Sequence, residues 1–392
     1  MKTIGDCAFS SCSKLNSITL PNSVTTIKDD AFRSCSSLTS ITIPGSVNNI
    51  GYHAFADCEG LTSVIISSPF KSIPSGAFSG CDNLSSLTIP SSLISIGSEA
   101  LRFCKKLNKI YITDLEAWCN IEFDSSVWGY DTEPFDEGFH LFINEKEIKD
   151  LIIPSSITNI KDYVFKRCSG LTSVKIPNSV TIIGNSAFMD CNNLTQITIG
   201  NGIKKIGWMA FAKCSELKDV YCLAEEISSS YNWGQGALYA DNNAFDGSYI
   251  EYATLHVPES CINNYQITTP WNSFGEYKTL TGEIVETPKC STPIISIEEG
   301  QIKFNCETEG VDFVSNISTT DADNYYDAVL TLTYKYKVTV YATKDGYENS
   351  DKASREIVIT ENGKAILVGD VDGNGKVDVA DHVNLSKIIM NQ

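Results

Sequence analysis

Apolar positions recur along residues 1–222 in a fixed order with a period of 23 residues. Each period holds an apolar-x-apolar triplet: Ile18-Thr19-Leu20, Ile41-Thr42-Ile43, Val64-Ile65-Ile66, Leu87-Thr88-Ile89, Ile110-Tyr111-Ile112, Leu151-Ile152-Ile153, Val174-Lys175-Ile176, Ile197-Thr198-Ile199 and Val220-Tyr221-Cys222. Two inward residues flanking one outward residue predict a short strand. Pro21, Pro44, Pro90, Pro154 and Pro177 follow the triplet and end the ladder, having no N–H to donate. A second apolar pair, such as Val47 and Ile50, turns the chain back. The segment Ala31-Phe32-x-x-Cys35-x-x-Leu38 has helical spacing and predicts a turn or two of helix.

Vertical columns confirm the period. Phenylalanine stands at 9, 32, 55, 78, 165, 188 and 211, with Leu101 substituting once. Cysteine stands at 12, 35, 58, 81 and 104, then at 168, 191 and 214. One coil cannot bury its own apolar positions, but stacked coils bury them against each other. The predicted fold is therefore mostly β: a solenoid of 23-residue coils whose strands lie about 4.8 Å apart. The wording Ile-Gly-x-x-Ala-Phe-x-x-Cys-x-x-Leu-x-x-Ile-x-Ile-Pro-x-Ser-Val closely resembles the BspA-like, or Treponema-type, leucine-rich repeat over about two thirds of the chain. That resemblance implies a bacterial or protozoan surface protein involved in adhesion; the period itself implies only a solenoid.

The outward strand positions read Thr19, Thr42, Ile65, Thr88, Tyr111, Ile152, Lys175, Thr198 and Tyr221. A Thr-rich column suits a solvated sheet face. Tyr111, Lys175 and Tyr221 depart from it, so they are the ligand-binding candidates on the sheet.

The cysteine spacing breaks between Cys104 and Cys168, a gap of 64 residues where three periods would be 69. One coil is rebuilt over residues 113–150. Asp114-Leu-Glu-Ala-Trp118-Cys119 predicts a short helix, and Phe139–Ile143 predicts a hairpin turning at Asn144-Glu145-Lys146. Between them Trp128, Tyr130, Asp131 and Glu133 form an aromatic and acidic loop. Structured excursions from a regular scaffold are often functional, so these four are candidates for a glycan, a basic peptide or Ca²⁺. The alternative is that Trp118, Phe123 and Phe142 close the broken core and the acids are solvated.

Charge sharpens this division. The chain has 30 basic and 48 acidic residues, a net charge of -18. Residues 113–150 hold 2 basic and 11 acidic residues, and residues 282–392 hold 10 and 19. The remaining coils are neutral, with 18 of each sign. Such a balance argues against nucleic acid or an anionic membrane as partner. No run of about 18 apolar residues predicts a membrane-spanning helix. Eight of the fourteen cysteines share one coil position, where a small apolar side chain fills a core slot. Stacking at about 4.8 Å exceeds the disulfide Cβ separation of about 3.8 Å. Cys222 with Cys261, and Cys290 with Cys306, are candidate disulfides outside the column.

The repeat decays after Cys214, with Ala244-Phe245 as its last echo. Aromatics from Tyr231 to Tyr277 are expected to cap the final coil over residues 222–281, with Thr254–Val257 as a further strand. The chain opens inside a coil, with no cap and no signal peptide, which leads us to expect a truncated start. Residues 288–360 carry six strand candidates: 294–297, 301–306, 311–318, 329–333, 335–343 and 355–360. They predict a β-sandwich similar to immunoglobulin-like or fibronectin-type spacers.

Residues 369–392 contain the sharpest chemical motif, Gly369-Asp370-Val-Asp372-Gly-Asn374-Gly375-Lys376-Val377-Asp378-Val-Ala-Asp381. Oxygens at loop positions 1, 3, 5, 9 and 12, a main-chain carbonyl at 7 and glycine at 6 suit Ca²⁺. Asp370, Asp372, Asn374, Asp378 and Asp381 would ligate through side chains, and Lys376 through its carbonyl. The loop and following segment resemble one repeat of a type I dockerin, which implies attachment to a cohesin-like scaffold; dockerins normally carry two such repeats.

No Gly-x-Ser-x-Gly, His-Glu-x-x-His or P-loop is present. His53, His140, His256 and His382 have no two at ligand spacing. The expected function is a non-catalytic, extracellular or cell-surface binding protein that offers a solenoid face to a protein (a host matrix or surface protein) or a glycan. The alternative is a glycan-binding, non-catalytic subunit of an extracellular carbohydrate-degrading assembly of the cohesin–dockerin type.

Overall fold

A computed structural model describes residues 2–67, 69–124, 138–229, 237–280, 290–298, 301–309, 311–319, 332–343, 350, 353–360 and 365–367. The chain divides into two compact units, Met1–Ile284 and Val285–Gln392.

The first unit is a solenoid whose coils have three hydrogen-bonded sides. On one side the four-residue strands Ser40–Ile43, Ser63–Ile66, Ser86–Ile89 and Lys109–Ile112 pair in parallel and in register. Every second residue is buried, as the apolar-x-apolar triplets require. His140–Ile143 continues this sheet, and Lys146–Glu147 closes it in antiparallel fashion. A second sheet of the same kind runs through Asp150–Ile152, Ser173–Ile176, Gln196–Ile199, Asp219–Cys222, Thr254–Val257 and Glu276–Thr279. The second side is a ladder of two-residue strands such as Ser72–Ile73 and Ser95–Ile96.

On the third side the predicted helix does not form. The Ala-Phe-x-x-Cys segment is a run of turns. Within it Arg33 N and Cys35 N donate three residues back, to Asp30 O and Phe32 O. The alternate groups, Asp30 N, Phe32 N and Ser34 N, donate to Tyr52 O, Ala54 O and Ala56 O of the next coil. Two left-handed residues per coil impose this alternation. One row is Cys7, Asp30, His53, Gly76, Glu99, Tyr163, Ser186 and Met209. The other is Ser11, Ser34, Asp57, Gly80, Phe103, Arg167, Asp190 and Lys213. An α-helix cannot pass through such residues. Helical side-chain spacing alone could not reveal them, because most are not glycine.

The core is a set of columns. Phe9, Phe32, Phe55 and Phe78 stack with centroids 5.0 to 5.4 Å apart, and Phe165, Phe188, Phe211 and Phe245 stack 5.1 to 5.5 Å apart. The cysteines beside them are more than filler. Cys58 Sγ donates to Phe32 O at 3.1 Å, Cys81 to Phe55 O at 3.2 Å and Cys191 to Phe165 O at 3.2 Å, each bonding to the preceding coil. Burial raises these thiols; Cys58 and Cys214 are pushed up to about 12. All fourteen cysteines are free thiols, so the candidate bridges Cys222–Cys261 and Cys290–Cys306 do not form. Cys222 Sγ instead accepts from the buried Tyr265 hydroxyl at 3.3 Å, and Cys306 Sγ donates to Ser291 O at 3.1 Å.

The cap is aromatic, as expected. Trp271 and Phe274 meet Phe245 edge-on, both at 5.5 Å. Tyr265 contributes from the helix Ile262–Ile267, and its hydroxyl also reaches Ala224 O at 2.8 Å. Tyr231 and Trp233 lie outside the described residues.

In the second unit Ile294–Glu298 pairs with Gln301–Asn305, and Asp312–Thr319, Leu332–Thr343, Ala353–Thr360 and Ala365–Leu367 form an antiparallel sheet. The two strands expected over 329–333 and 335–343 are one within the described residues. A register shift between Leu332 and Tyr334 absorbs the irregularity. The strand Ala365–Leu367 was not expected from the sequence.

Candidate functional site

The outward face of the coil sheets carries the sheet candidates. Coil register sets two parallel rows there. In the first sheet the strand-centre row reads Thr42, Ile65, Thr88, Tyr111 and Phe142. In the second it reads Ile152, Lys175, Thr198, Tyr221, His256 and Lys278. Ile152 does not follow Tyr111, as the triplet column suggested. The strand of the rebuilt coil is His140–Ile143, and the hairpin behind it separates the two sheets. The hairpin turns at Asn144 and Glu145, both left-handed, the geometry of a two-residue type I′ turn.

Tyr111, Lys175 and Tyr221 are half-buried on this face. The structure gives each tyrosine a partner ring. Tyr111 lies 5.1 Å from Phe142, tilted by 31°. Tyr221 stacks on His256 at 4.1 Å, with the ring planes nearly parallel. Tyr111 and Tyr221 share a row position but belong to different sheets and do not touch. Phe142 and His256 are the residues that sequence reasoning missed. Their signal was the same alternation that marks every other coil: Leu141 and Ile143, then Leu255 and Val257, are the inward pairs.

Polar groups on the neighbouring row lock several of these side chains. His256 Nε2 bonds to Asp219 Oδ1 at 2.9 Å, and His140 Nδ1 bonds to Glu147 across the hairpin. Gly170 lies against that second pair: a Cβ there would come within 2.8 Å of Glu147 Oε1. Asp150 accepts from Ser173 at 2.6 Å, and Glu276 meets both Thr254 and Lys278 at 3.1 Å. Contacts to Lys278 and Thr254 lower the Glu276 carboxyl below its ordinary value.

Hydroxyls divide by position. At the strand entry, Thr62 donates to Thr39 O, Ser85 to Thr62 O and Thr195 to Thr172 O, all at 3.0 Å. These hydroxyls tie coil to coil. On the outward rows Ser40, Ser63, Ser86, Thr42, Thr88 and Thr198 have no side-chain bond to protein among the described residues. The face therefore offers a rigid, repeating field of hydroxyls broken by two aromatic pairs, and Ile65 is 47% exposed within it.

Two of the insertion's aromatics, Trp118 and Phe123, supply core, whereas Phe142 stands on the outward row. The helix Leu115–Cys119 is capped by Asp114, whose side chain accepts from Ala117 N. Trp118 is buried, edge-on to Phe123 at 6.0 Å and to Phe139 at 6.2 Å. Trp128, Tyr130, Asp131 and Glu133 lie outside the described residues, as do the metal candidates Asp370, Asp372, Asn374, Lys376, Asp378 and Asp381. Among the described residues no cluster of three or more His, Cys, Asp or Glu side chains could hold a metal, and no helix is long and apolar enough to cross a membrane.

No curated protein matches the sequence significantly. Among solved structures, the chain is similar to a leucine-rich repeat protein from Bacteroides ovatus ATCC 8483. The identity is 27%, the match covers 71% of this chain and 76% of that one, and the TM-score is 0.40. It is also similar to a leucine rich cell surface protein from Faecalibacterium prausnitzii A2-165, at 25% identity, 72% and 84% coverage and a TM-score of 0.37. A third is the T. pallidum leucine rich repeat protein, at 24% identity, 52% and 78% coverage and a TM-score of 0.31. A family model described as BspA type Leucine rich repeat region matches six copies, over residues 2–126 and 138–256. With more than half of its length matched and its Phe and Cys columns stacked coil on coil, the chain belongs to the BspA-type leucine-rich repeat family.

Proposed function

We propose that this is a non-catalytic binding protein of the cell surface or extracellular space, and that it presents the outward sheet face to a protein partner. One observation carries the reading: half-buried aromatics, Tyr111 with Phe142 and Tyr221 with His256, stand on an otherwise hydroxyl-rich face of a rigid scaffold. Tyrosine supplies large contact area at low entropic cost, which is why it anchors protein interfaces. Surface placement follows what the family implies. The C-terminal loop Asp370–Asp381 is proposed to bind Ca²⁺ and to serve as an attachment module, on its ligand spacing alone.

The test is plate binding of the full chain to a panel of extracellular matrix proteins, with a glycan array in parallel. Tyr111→Ala with Tyr221→Ala should weaken binding to a matrix protein at least tenfold without changing the melting temperature by more than a few degrees. Unchanged binding would remove the sheet face from consideration. Glycan binding lost on Trp128→Ala would favour the glycan-binding subunit instead. For calcium, titration calorimetry of the full chain should show heat that Asp370→Ala abolishes. No heat in the wild-type chain would end that part of the proposal.

A further inference from the structure

We propose that the sheet face from Lys109 to Lys218 takes an acidic polypeptide segment of its partner. This rests on the face being the binding surface and adds the chemistry of what binds.

The face has unequal charge bookkeeping. The carboxylates on its strands are engaged within the molecule: Glu147 with His140, Asp150 with Ser173 and Thr172, Asp219 with His256, and Glu276 with Thr254 and Lys278, while Glu145 at the hairpin turn is exposed. Its lysines are mostly not. Lys109 and Lys175 sit on the outward rows, and Lys149 and Lys218 stand exposed at the strand entries. None of the four forms an ion pair or side-chain hydrogen bond among the described residues. Lys278, at the end of the face, is paired. An incoming carboxylate therefore meets ammonium groups that give up no internal partner to receive it. The Tyr111 and Tyr221 hydroxyls are also unbonded to protein. Ammonium groups only donate and phenols can donate, so the unspent capacity of the face matches an acceptor-rich partner.

Two geometric facts favour polypeptide over an anionic sugar. Sugars pack on open ring faces, whereas Tyr221 has one face covered by His256 and Tyr111 one face covered by Phe142. Lys175 and Tyr221 stand two strands apart, about 10 Å, which is about three residues of an extended chain. A segment running along the row would place a carboxylate on Lys175 and an apolar side chain beside Tyr221.

The experiment measures binding of the full chain to a random Glu,Tyr copolymer by biolayer interferometry, with a Lys,Tyr copolymer and heparin as comparators. The wild-type chain should bind the Glu,Tyr copolymer and not the Lys,Tyr copolymer. Lys109→Glu with Lys175→Glu should weaken it about tenfold. Lys14→Glu with Lys71→Glu makes the same change in net charge away from the face and should alter it less than twofold. Tighter binding to heparin than to the Glu,Tyr copolymer, equal loss in both double variants, or no copolymer binding by the wild-type chain would each overturn the proposal. The matrix-protein panel separates this failure from that of the underlying reading. Tyr111→Ala with Tyr221→Ala abolishing matrix binding while Lys109→Glu with Lys175→Glu spares it would reject the acidic partner and keep the face. Both double variants sparing it would reject both.

Discussion

The coil around Phe32 and the rebuilt coil around Trp118 meet the same demand with different material. The regular coil stacks a ring, a thiol and a strand directly over those of its neighbours. The rebuilt coil turns its aromatic edge-on, puts a five-residue helix where the regular coil has its link between the first and second strands, and leaves Trp118 Nε1 buried without an acceptor among the described residues. Yet its strand His140–Ile143 keeps register with Lys109–Ile112. What is conserved across the break is the position of the outward row, which is where the aromatic side chains gather. The core tolerates improvisation, and the presented face is held to pattern.

Alkaline pH should strain the regular columns most. Burial raises the thiols of Cys58 and Cys214 to about 12 and Cys222 to about 11, against an ordinary 9.0. Above pH 9 the unfolded chain loses these protons while the folded chain keeps them, so stability falls as pH rises from 9 toward 12. Below pH 9 the thiols are protonated in both states and contribute no slope. Each such thiol costs up to about 1.4 kcal/mol per pH unit in that window. Urea unfolding under reductant at pH 8, 9.5 and 10.5 should show the loss, and Cys58→Ala with Cys214→Ala should lessen it without removing it, since other buried thiols are raised as well.

Next in size are the rings. Phe188→Ala opens a cavity in a closed stack and should cost about 3–5 kcal/mol, whereas Phe142→Ala, half-exposed on the face, should cost under about 1.5 kcal/mol. Hydrogen exchange resolves each coil, which matters because repeat arrays need not unfold in one step. Equal costs would mean that Phe142 is core. Trp118→Phe removes both packing area and an orphaned donor, and should cost less than about 2 kcal/mol for that reason. A cost like that of Phe188→Ala would show the indole N–H to be satisfied. The smallest effect is expected on the left-handed row. Phe103 is exposed and left-handed, so Phe103→Gly should be neutral or stabilise by under about 1 kcal/mol.

Much of this fold was legible in sequence because each coil repeats the same test: Phe9 through Phe211, Cys35 through Cys214 and the strand triplets vote together. The turn segment was misread because Ala-Phe-x-x-Cys-x-x-Leu satisfies helical spacing while its main chain is set by left-handed residues of many types, Asp30, His53 and Met209 among them. The strand His140–Ile143 was seen as a hairpin arm but not as a coil strand, since no proline and no 23-residue spacing marked it. Tyr111, Lys175 and Tyr221 were readable as breaks in a Thr column. The alternation also marked Phe142 and His256 as outward, but their pairing with the tyrosines was not readable, because it depends on register across strands that differ in spacing.

The row of turns on the third side has a mechanical consequence. Phe32 N to Ala54 O, Phe55 N to Ala77 O and Phe188 N to Ala210 O run from coil to coil, as the strand bonds on the other two sides do. Separating one regular coil from the next where all three sides are paired therefore breaks three bonded lines together. A stack built this way shares a load along its axis across the whole cross-section of each regular coil.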